Sequence, residues 1–481
     1  MYKEKKATMT RKPNVLFILT DQHNAQVLGC AGDTAVRTPN LDRLAQQGVR
    51  FEQAYCQNPL CVPSRASLLR GKYSRTIGIY TNTDMMEPNS ITIPRVLSSQ
   101  GYRTCLIGKG HFNGEQFHGY QERPYGDLYG QAHQPDPRRT PESGESGLGG
   151  LVGNAGPTGI PLPLTQTEIC VAEASKWLQT HIDLHPEQPF FLSVNFDKPH
   201  FPVRCPAPYF AHYANRLHVS ECPADYYEQA VPFVRKAIDR FSFRDQDGDR
   251  YLQAYYGCVE WVDDAIGRLL QVLLYLDLAD NTIVIYTSDH GDLLGEKGAW
   301  NKTLFFDAST RIPLIVRCPA LFSTGKVLSD LVGLIDLFPT ICQAVQIPVP
   351  AECEGTSFLP VLEGSGAFPR SHLFCESAFL GEPEMGGCMI RQGQWKYTYY
   401  LDGSQELYDM AADPEEWNNL ATEPSMKHVV DKFNAEVRAF WKPETYLNRL
   451  AATPRTRREK HFYEFSNQFI LGNGTVANAR P

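Results

Sequence analysis

Four apolar runs in this chain end in residues that bind metals or anions. Asp21 and Gln22 follow the first, Lys109 and His111 the second, Asp197, Lys198 and His200 the third, and Asp289 with His290 the fourth. Asp21, Gln22, Asp289 and His290 offer oxygen and imidazole donors of the kind that hold a hard divalent cation. Lys109, His111, Lys198, His200 and Lys302, together with Arg65, form a second set, basic in character. Gathered near one cation they would repel each other, at about 4 kcal/mol per like pair ~4 Å apart, unless an anion bound among them. A third feature is Cys61, which opens the stretch CVPSRASLLRG. Pro63 suits the first turn of a helix, so the thiol stands at the electropositive helix start. Each residue alone has a plainer reading: a strand-end Asp caps a turn, a Lys or His after a strand is solvated, and a free Cys is buried.

The elements that must position these groups are legible from periodicity. Asn14–Thr20 (NVLFILT) is a continuous apolar run, as expected of a strand buried on both faces of a parallel sheet. Arg103–Ile107, Phe190–Phe196, Thr282–Thr287 and Pro313–Val316 read the same way, with helical patterns between most of them. This alternation predicts a doubly wound α/β architecture, in which ligands gather at the carboxyl ends of strands. The clearest helix covers Arg250 to Leu278, and Thr167–Thr180 and Ser329–Val345 are shorter helical candidates, the last bent or restarted at Pro339. Gln134–Pro163 is rich in Gly and Pro and reads as a surface insertion, either a lid or a tolerated loop. Past Arg370 short strand-like pieces, Cys388–Arg391 and Trp395–Leu401, predict a smaller antiparallel sheet with a helix and a tail. The expected division is a catalytic α/β domain over residues 1–370 and a small antiparallel-sheet subdomain over 371–481.

With 481 residues, 42% hydrophobic and 21% charged, the chain has the makeup of a large globular enzyme. A net charge of -8 with scattered basic residues argues against a nucleic-acid partner. The lysine-rich start is followed by too short an apolar run for an export signal or a membrane span, so a cytoplasmic, membrane-free protein is expected. Thirteen cysteines without CxxC pairs then read as reduced thiols.

CVPSR resembles the CxPSR motif of type I sulfatases, formylglycine-dependent enzymes of the alkaline phosphatase superfamily, and LLRGKY is similar to the stretch that follows it there. The resemblance runs from PNVLFILTDQ through TPNLDRLAQQGVRFEQAYCQNPLCVPSR, GKGH, KPHFP and TSDHGD to ELYDMAADPEEWNNLA near the end. It implies an alkaline phosphatase-like fold, a large mixed but mostly parallel sheet flanked by helices. It also implies oxidation of Cys61 to formylglycine by a formylglycine-generating enzyme. Asp21, Gln22, Asp289, His290 and the modified Cys61 would hold one divalent ion, calcium foremost, with magnesium or manganese as alternatives. Arg65, Lys109, His111, His200 and Lys302 would face the sulfate, and the ester would be cleaved through a covalent sulfo-enzyme intermediate. Lys198 is expected on the substrate side, and Asn82 resembles a substrate-contacting Asn, a turn Asn being the alternative.

Gln22 stands where many sulfatases have Asp, and His290 where many have Asn. Both also look like choline sulfatases and phosphonate monoester hydrolases, whereas Lys109 and His111 keep the sulfatase pattern. The expected activity is therefore hydrolysis of a small-molecule or saccharide sulfate ester. The alternatives are a phosphonate monoester or phosphodiester hydrolase using the same site, and a non-catalytic anion-binding protein with an unmodified thiol. The tail after Tyr446 somewhat resembles the oligomer-forming extension of choline sulfatases, which implies a homo-oligomer.

Overall fold

The computed structural model describes residues 11–112, 116–126, 155–241, 245–322, 324–378, 385–452, 468–470 and 476–478. Most of the Gly/Pro-rich stretch and of the tail after Thr453 lies outside the described residues.

Strands β1 (Asn14–Asp21), β2 (Val49–Tyr55), β3 (Arg103–Gly108) and β4 (Glu122–Tyr125) come first; β5 (Gly156–Pro157) and β7 (Arg204–Cys205) form a small separate pair. With β6 (Phe190–Pro199), β8 (Thr282–Ser288), β9 (Leu314–Arg317) and β10 (Lys326–Gly333) the main sheet has the order β10-β2-β9-β8-β1-β6-β3-β4. β1 lies at its centre, parallel to both β6 and β8. All eight of its residues are buried, because Val15, Phe17 and Leu19 pack into one hydrophobic layer while Leu16 and Ile18 pack into the opposite one. The second layer includes residues of two helices, Gln166–Leu184 and the 31-residue Asp245–Tyr275. This is the mixed, mostly parallel, helix-flanked sheet that the family resemblance implies.

Two expectations need correction. Pro313–Val316 belongs to a strand, but β9 runs antiparallel to both of its neighbours, β2 and β8. A four-residue apolar run carries no information about direction. Ser329–Val345 is not one helix: Ser329–Gly333 ends β10, which pairs with β2 at the sheet edge, and the helix spans only Leu337–Ala344. Three of the eight residues of β10 are exposed and three half-buried, so its mixed composition imitates a helical period.

Register explains why distant residues meet. Thr20 pairs with Ser288, Asp21 with Pro199, and Gly108 with Asn195, so the carboxyl ends of β1, β8, β6 and β3 reach one edge together. Gly108 permits that close approach: its φ is 98°, and a Cβ there would sit 2.1 Å from the Asn195 carbonyl oxygen.

A second sheet, β11 (His372–Ala378), β12 (Gly386–Gln392), β13 (Trp395–Tyr400) and β14 (Gln405–Asp409), is an antiparallel meander. The helix Lys427–Trp441 packs on it through Val430, Phe433, Val437 and Trp441. A buried ion network ties it to the main sheet. Lys396 of β13 meets Asp307 at 2.8 Å and Glu416 at 2.7 Å, and Tyr55 of β2 donates to Asp307 at 3.1 Å. No cysteine is disulfide-bonded, and among the described residues no helix is long and apolar enough to cross a membrane.

Candidate active site

Cys61 begins the helix Cys61–Arg70. Pro63 costs nothing in the first turn, where its missing N–H has no intrahelical partner. Leu60, at the cap position, cannot satisfy the free amides, and the side chain of Asn82 does so from outside, accepting from the Val62 N–H at 3.0 Å. Gly71, left-handed at φ 61°, closes the helix. The residues after Pro63 clamp the end of β8: Ser64 Oγ donates to the Asp289 carbonyl at 2.5 Å, and Arg65 Nε donates to the Asp289 carboxylate at 2.8 Å.

Arg65, only 1% exposed, also donates through Nη2 to Asp21 at 3.0 Å and through Nη1 to the Lys109 carbonyl at 2.8 Å. Its planar fork thus joins the ends of β1, β3 and β8. Lys109 Nζ lies 2.8 Å from Asp21. Lys302 Nζ lies 2.7 Å from the Gln22 amide oxygen and 3.2 Å from Cys61 Sγ.

Asp21, Cys61, Asp289 and His290, all buried, each present one donor atom within 4.8 Å of the other three. His290 Nδ1 sits 3.0 Å from the Gly291 carbonyl, which can only accept, so the proton is on Nδ1 and the Nε2 lone pair faces Cys61 Sγ at 3.2 Å. Two buried carboxylates and a bare imidazole nitrogen converging on one point fit a divalent cation. The thiol sulfur stands where a formylglycine side chain would place its oxygens. Gln22 reaches the same place in a left-handed conformation, φ 69°, held by its N–H on Asp289 at 3.1 Å and by Tyr255 OH on its carbonyl at 2.6 Å.

The electrostatics follow from this packing. Burial pushes the Asp21 carboxyl up, but Lys109, His200, Arg65 and Lys302 outweigh it and hold Asp21 well below the usual carboxylate range. Burial and Asp21 push the Cys61 thiol up. Lys302, Lys109 and a hydrogen bond with His111 more than offset them, leaving the thiol more acidic than usual. Burial lowers His111, His200 and His290, with Lys109 and Lys302 adding to the effect at His200.

Asp21, Gln22, Cys61, Arg65, Lys109, His111, Asp289, His290 and Lys302 are therefore brought together, and His200 approaches Asp21 at 3.8 Å. The Lys198 ammonium donates to the carbonyls of His200 at 3.2 Å and Pro202 at 2.9 Å, bracing the loop that carries His200. Sequence reasoning missed Asp292, Tyr251 and Tyr255. Asp292 accepts from Gln22 Nε2 at 2.6 Å and from Tyr251 OH at 2.8 Å, beneath the site. The available signal was Asp292 within TSDHGD and two tyrosines four residues apart on one face of the long helix.

Buried donors that could hold a cation, ringed by cationic side chains, suit an anionic ligand. Comparison with known proteins agrees. Residues 13–347 match the model of the sulfatase family, and residues 295–442 match that of the N-sulphoglucosamine sulphohydrolase C-terminal region. The choline-sulfatase of Rhizobium meliloti is 30% identical over 433 residues, covering 86% of this chain and 83% of that protein. The N-acetylglucosamine-6-O-sulfatase of Bacteroides thetaiotaomicron is 27% identical over 490 residues, covering 85% and 83%. The crystal structure of the phosphonate monoester hydrolase of Agrobacterium radiobacter superimposes with a TM-score of 0.73 at 23% identity, covering 98% of this chain and 100% of that one. The chain belongs to the sulfatase family and is a sulfuric ester hydrolase.

Proposed function

We propose that the chain hydrolyses a sulfate monoester of a saccharide or small alcohol with a formylglycine made from Cys61 and one divalent cation, calcium foremost. The observation that carries this is the convergence of Asp21, Cys61, Asp289 and His290 within 4.8 Å, ringed by Arg65, Lys109 and Lys302. Asp21, Gln22, Asp289 and His290 would hold the ion, which when bound offsets the negative charge of the ester and acidifies the nucleophile. The aldehyde hydrate at residue 61 supplies an oxygen nucleophile and a second hydroxyl whose deprotonation releases the product, a role no thiol can fill.

The chain's own groups account for the rest. Lys109 and Lys302 neutralise charge growing on the sulfuryl oxygens. His200 donates Nδ1–H to the Phe201 carbonyl at 2.7 Å, which leaves Nε2 to carry the proton for the departing alkoxide. In the free protein burial, Lys109 and Lys302 disfavour the His200 cation. An anionic ester beside those lysines reverses that influence, so substrate itself prepares the acid. His111, hydrogen-bonded to residue 61, takes the proton from the second hydroxyl.

The choline-sulfatase and N-acetylglucosamine-6-O-sulfatase relatives support a small alcohol or a sugar as the other half of the ester. Gln22 and His290 favour, as a second reading, a phosphonate monoester or phosphodiester substrate at the same site. Two measurements decide. In denatured active protein residue 61 should resist alkylation by iodoacetamide and react with a hydrazide, as an aldehyde does and a thiol does not. Matched aryl sulfate and phosphonate esters should give the higher kcat/KM for the sulfate. Full alkylation of residue 61 in active protein refutes the formylglycine, and a reversed preference refutes the sulfate reading.

A further inference from the structure

We infer that Asp292 is a positioning residue that decides which atom of Gln22 faces the cation site, so that Gln22 and Asp292 act as one unit. The inference rests on the metal-site reading above. Asp292 is fully buried, where burial pushes its carboxyl up and its hydrogen bonds and Lys302 act against that. Its four close partners are all donors. Oδ2 accepts from Gln22 Nε2 at 2.6 Å and Tyr251 OH at 2.8 Å; Oδ1 accepts from the N–H groups of Leu294 at 3.0 Å and Asn301 at 3.2 Å.

An acceptor-only carboxylate leaves Gln22 one workable orientation. Its NH2 must face Asp292, which turns its carbonyl oxygen to Lys302 Nζ at 2.7 Å and toward the cation donors. The flipped amide would set NH2 against the ammonium and oxygen against the carboxylate, two repulsions in place of two bonds. The same carboxylate also places Lys302, because the Asn301 N–H that it accepts immediately precedes that lysine, in a segment where Asn301 is left-handed at φ 73°. One buried negative charge thus orients both neighbours of residue 61 on this side, and its influence reaches Lys302 through a neutral amide.

The test is a swap. Asp292→Asn must turn its own NH2 toward one of the four donors, which lets Gln22 flip and present NH2 to Lys302 and the ion. Gln22→Glu sets two carboxylates against each other. In the double variant Q22E/D292N, the Asn amide donates to one Glu oxygen and the other faces Lys302, restoring the original pattern at the same net charge. Two readouts are taken on all four proteins: melting in chelator, and calcium affinity by titration calorimetry with calcium alone. Each single variant should melt lower and lose about tenfold to a hundredfold in calcium affinity, as outer-shell changes typically do. The double should regain most of both, and recovery of soluble protein where a single variant fails to fold counts the same way. A double no better than the worse single variant in melting and in calcium binding overturns the inference. Neither readout involves ester turnover, so loss of the sulfate reading leaves this result standing. A wild type that binds no calcium would refute the metal reading, and the melting cycle in chelator would still decide the Gln22–Asp292 coupling.

Discussion

Arg65→Lys keeps the charge and discards the geometry, which makes it the sharpest test of how the site is held. The guanidinium uses three separate nitrogens on three acceptors, Asp289 at 2.8 Å, Asp21 at 3.0 Å and the Lys109 carbonyl at 2.8 Å. A single ammonium cannot sit at all three, and at least one buried carboxylate loses its donor. A hydrogen bond to a charged group contributes about 1.5–3 kcal/mol, and breaking one side of a buried ion pair costs roughly 3–5 kcal/mol. We therefore expect a loss of about 3 kcal/mol in metal-free protein. Over 481 residues the unfolding entropy is on the order of 1 kcal/mol/K, so Tm should fall by about 3 °C if the chain melts as one unit. The carboxylates freed from Arg65 should then gain more from a cation, and calcium should raise Tm further in the variant than in the wild type. Differential scanning calorimetry with chelator and with calcium measures both. A variant whose Tm stays within 1 °C of wild type, with the same calcium increment, would show that Arg65 does not join the strand ends energetically.

Lys396→Met should cost roughly 3–5 kcal/mol in urea unfolding, because Glu416 is left buried without its cation and Asp307 keeps only Arg311 at 3.2 Å. Adding Asp307→Asn and Glu416→Gln should recover much of it, and a single variant within about 1 kcal/mol of wild type would contradict the role given to the network. Acidification below about pH 6.5 should draw on two buried histidines. Burial lowers His23 to about 4 and His118 to about 3, the latter with help from Arg95, Arg123 and Arg70. Below the ordinary histidine value near 6.5 the unfolded chain binds more protons than the folded one, so this stability is present above pH ~6.5 and is lost as pH falls toward about 4. Each histidine contributes a slope of up to about 1.4 kcal/mol per pH unit, opposed by Asp263, Glu296 and Glu416, which burial raises to about 7; His118→Gln should therefore change the slope of Tm between pH 6.5 and 4.5, and an unchanged slope would refute the assignment. Asp21, held below its usual value, adds to the loss only below about pH 4.

The residues that meet at the site were largely visible in the chain, because strands buried on both faces leave unbroken apolar runs and the polar residue after each run marks a strand end. Cys61, Pro63 and Arg65 could be picked out by type and spacing, since a helix start imposes local rules. Asp292 could not be weighed in the same way. Its importance lies in four donors from a loop, a strand end and the long helix, none of which marks it by periodicity. Tyr251 and Tyr255 follow the helical repeat like core residues, and only packing shows that their hydroxyls reach Asp292 and the Gln22 carbonyl.

Sequence alone therefore determined the kinds of chemistry available and the local elements that carry them, because backbone preference and side-chain type act over a few residues. Tertiary structure decided direction and aim: that β9 runs antiparallel, that Ser329–Gly333 is an edge strand, that Lys198 braces a loop, and that Arg65 points at two carboxylates. Those outcomes depend on which strand ends lie side by side, a property of register across more than two hundred residues of chain, as the pairing of Thr20 with Ser288 shows.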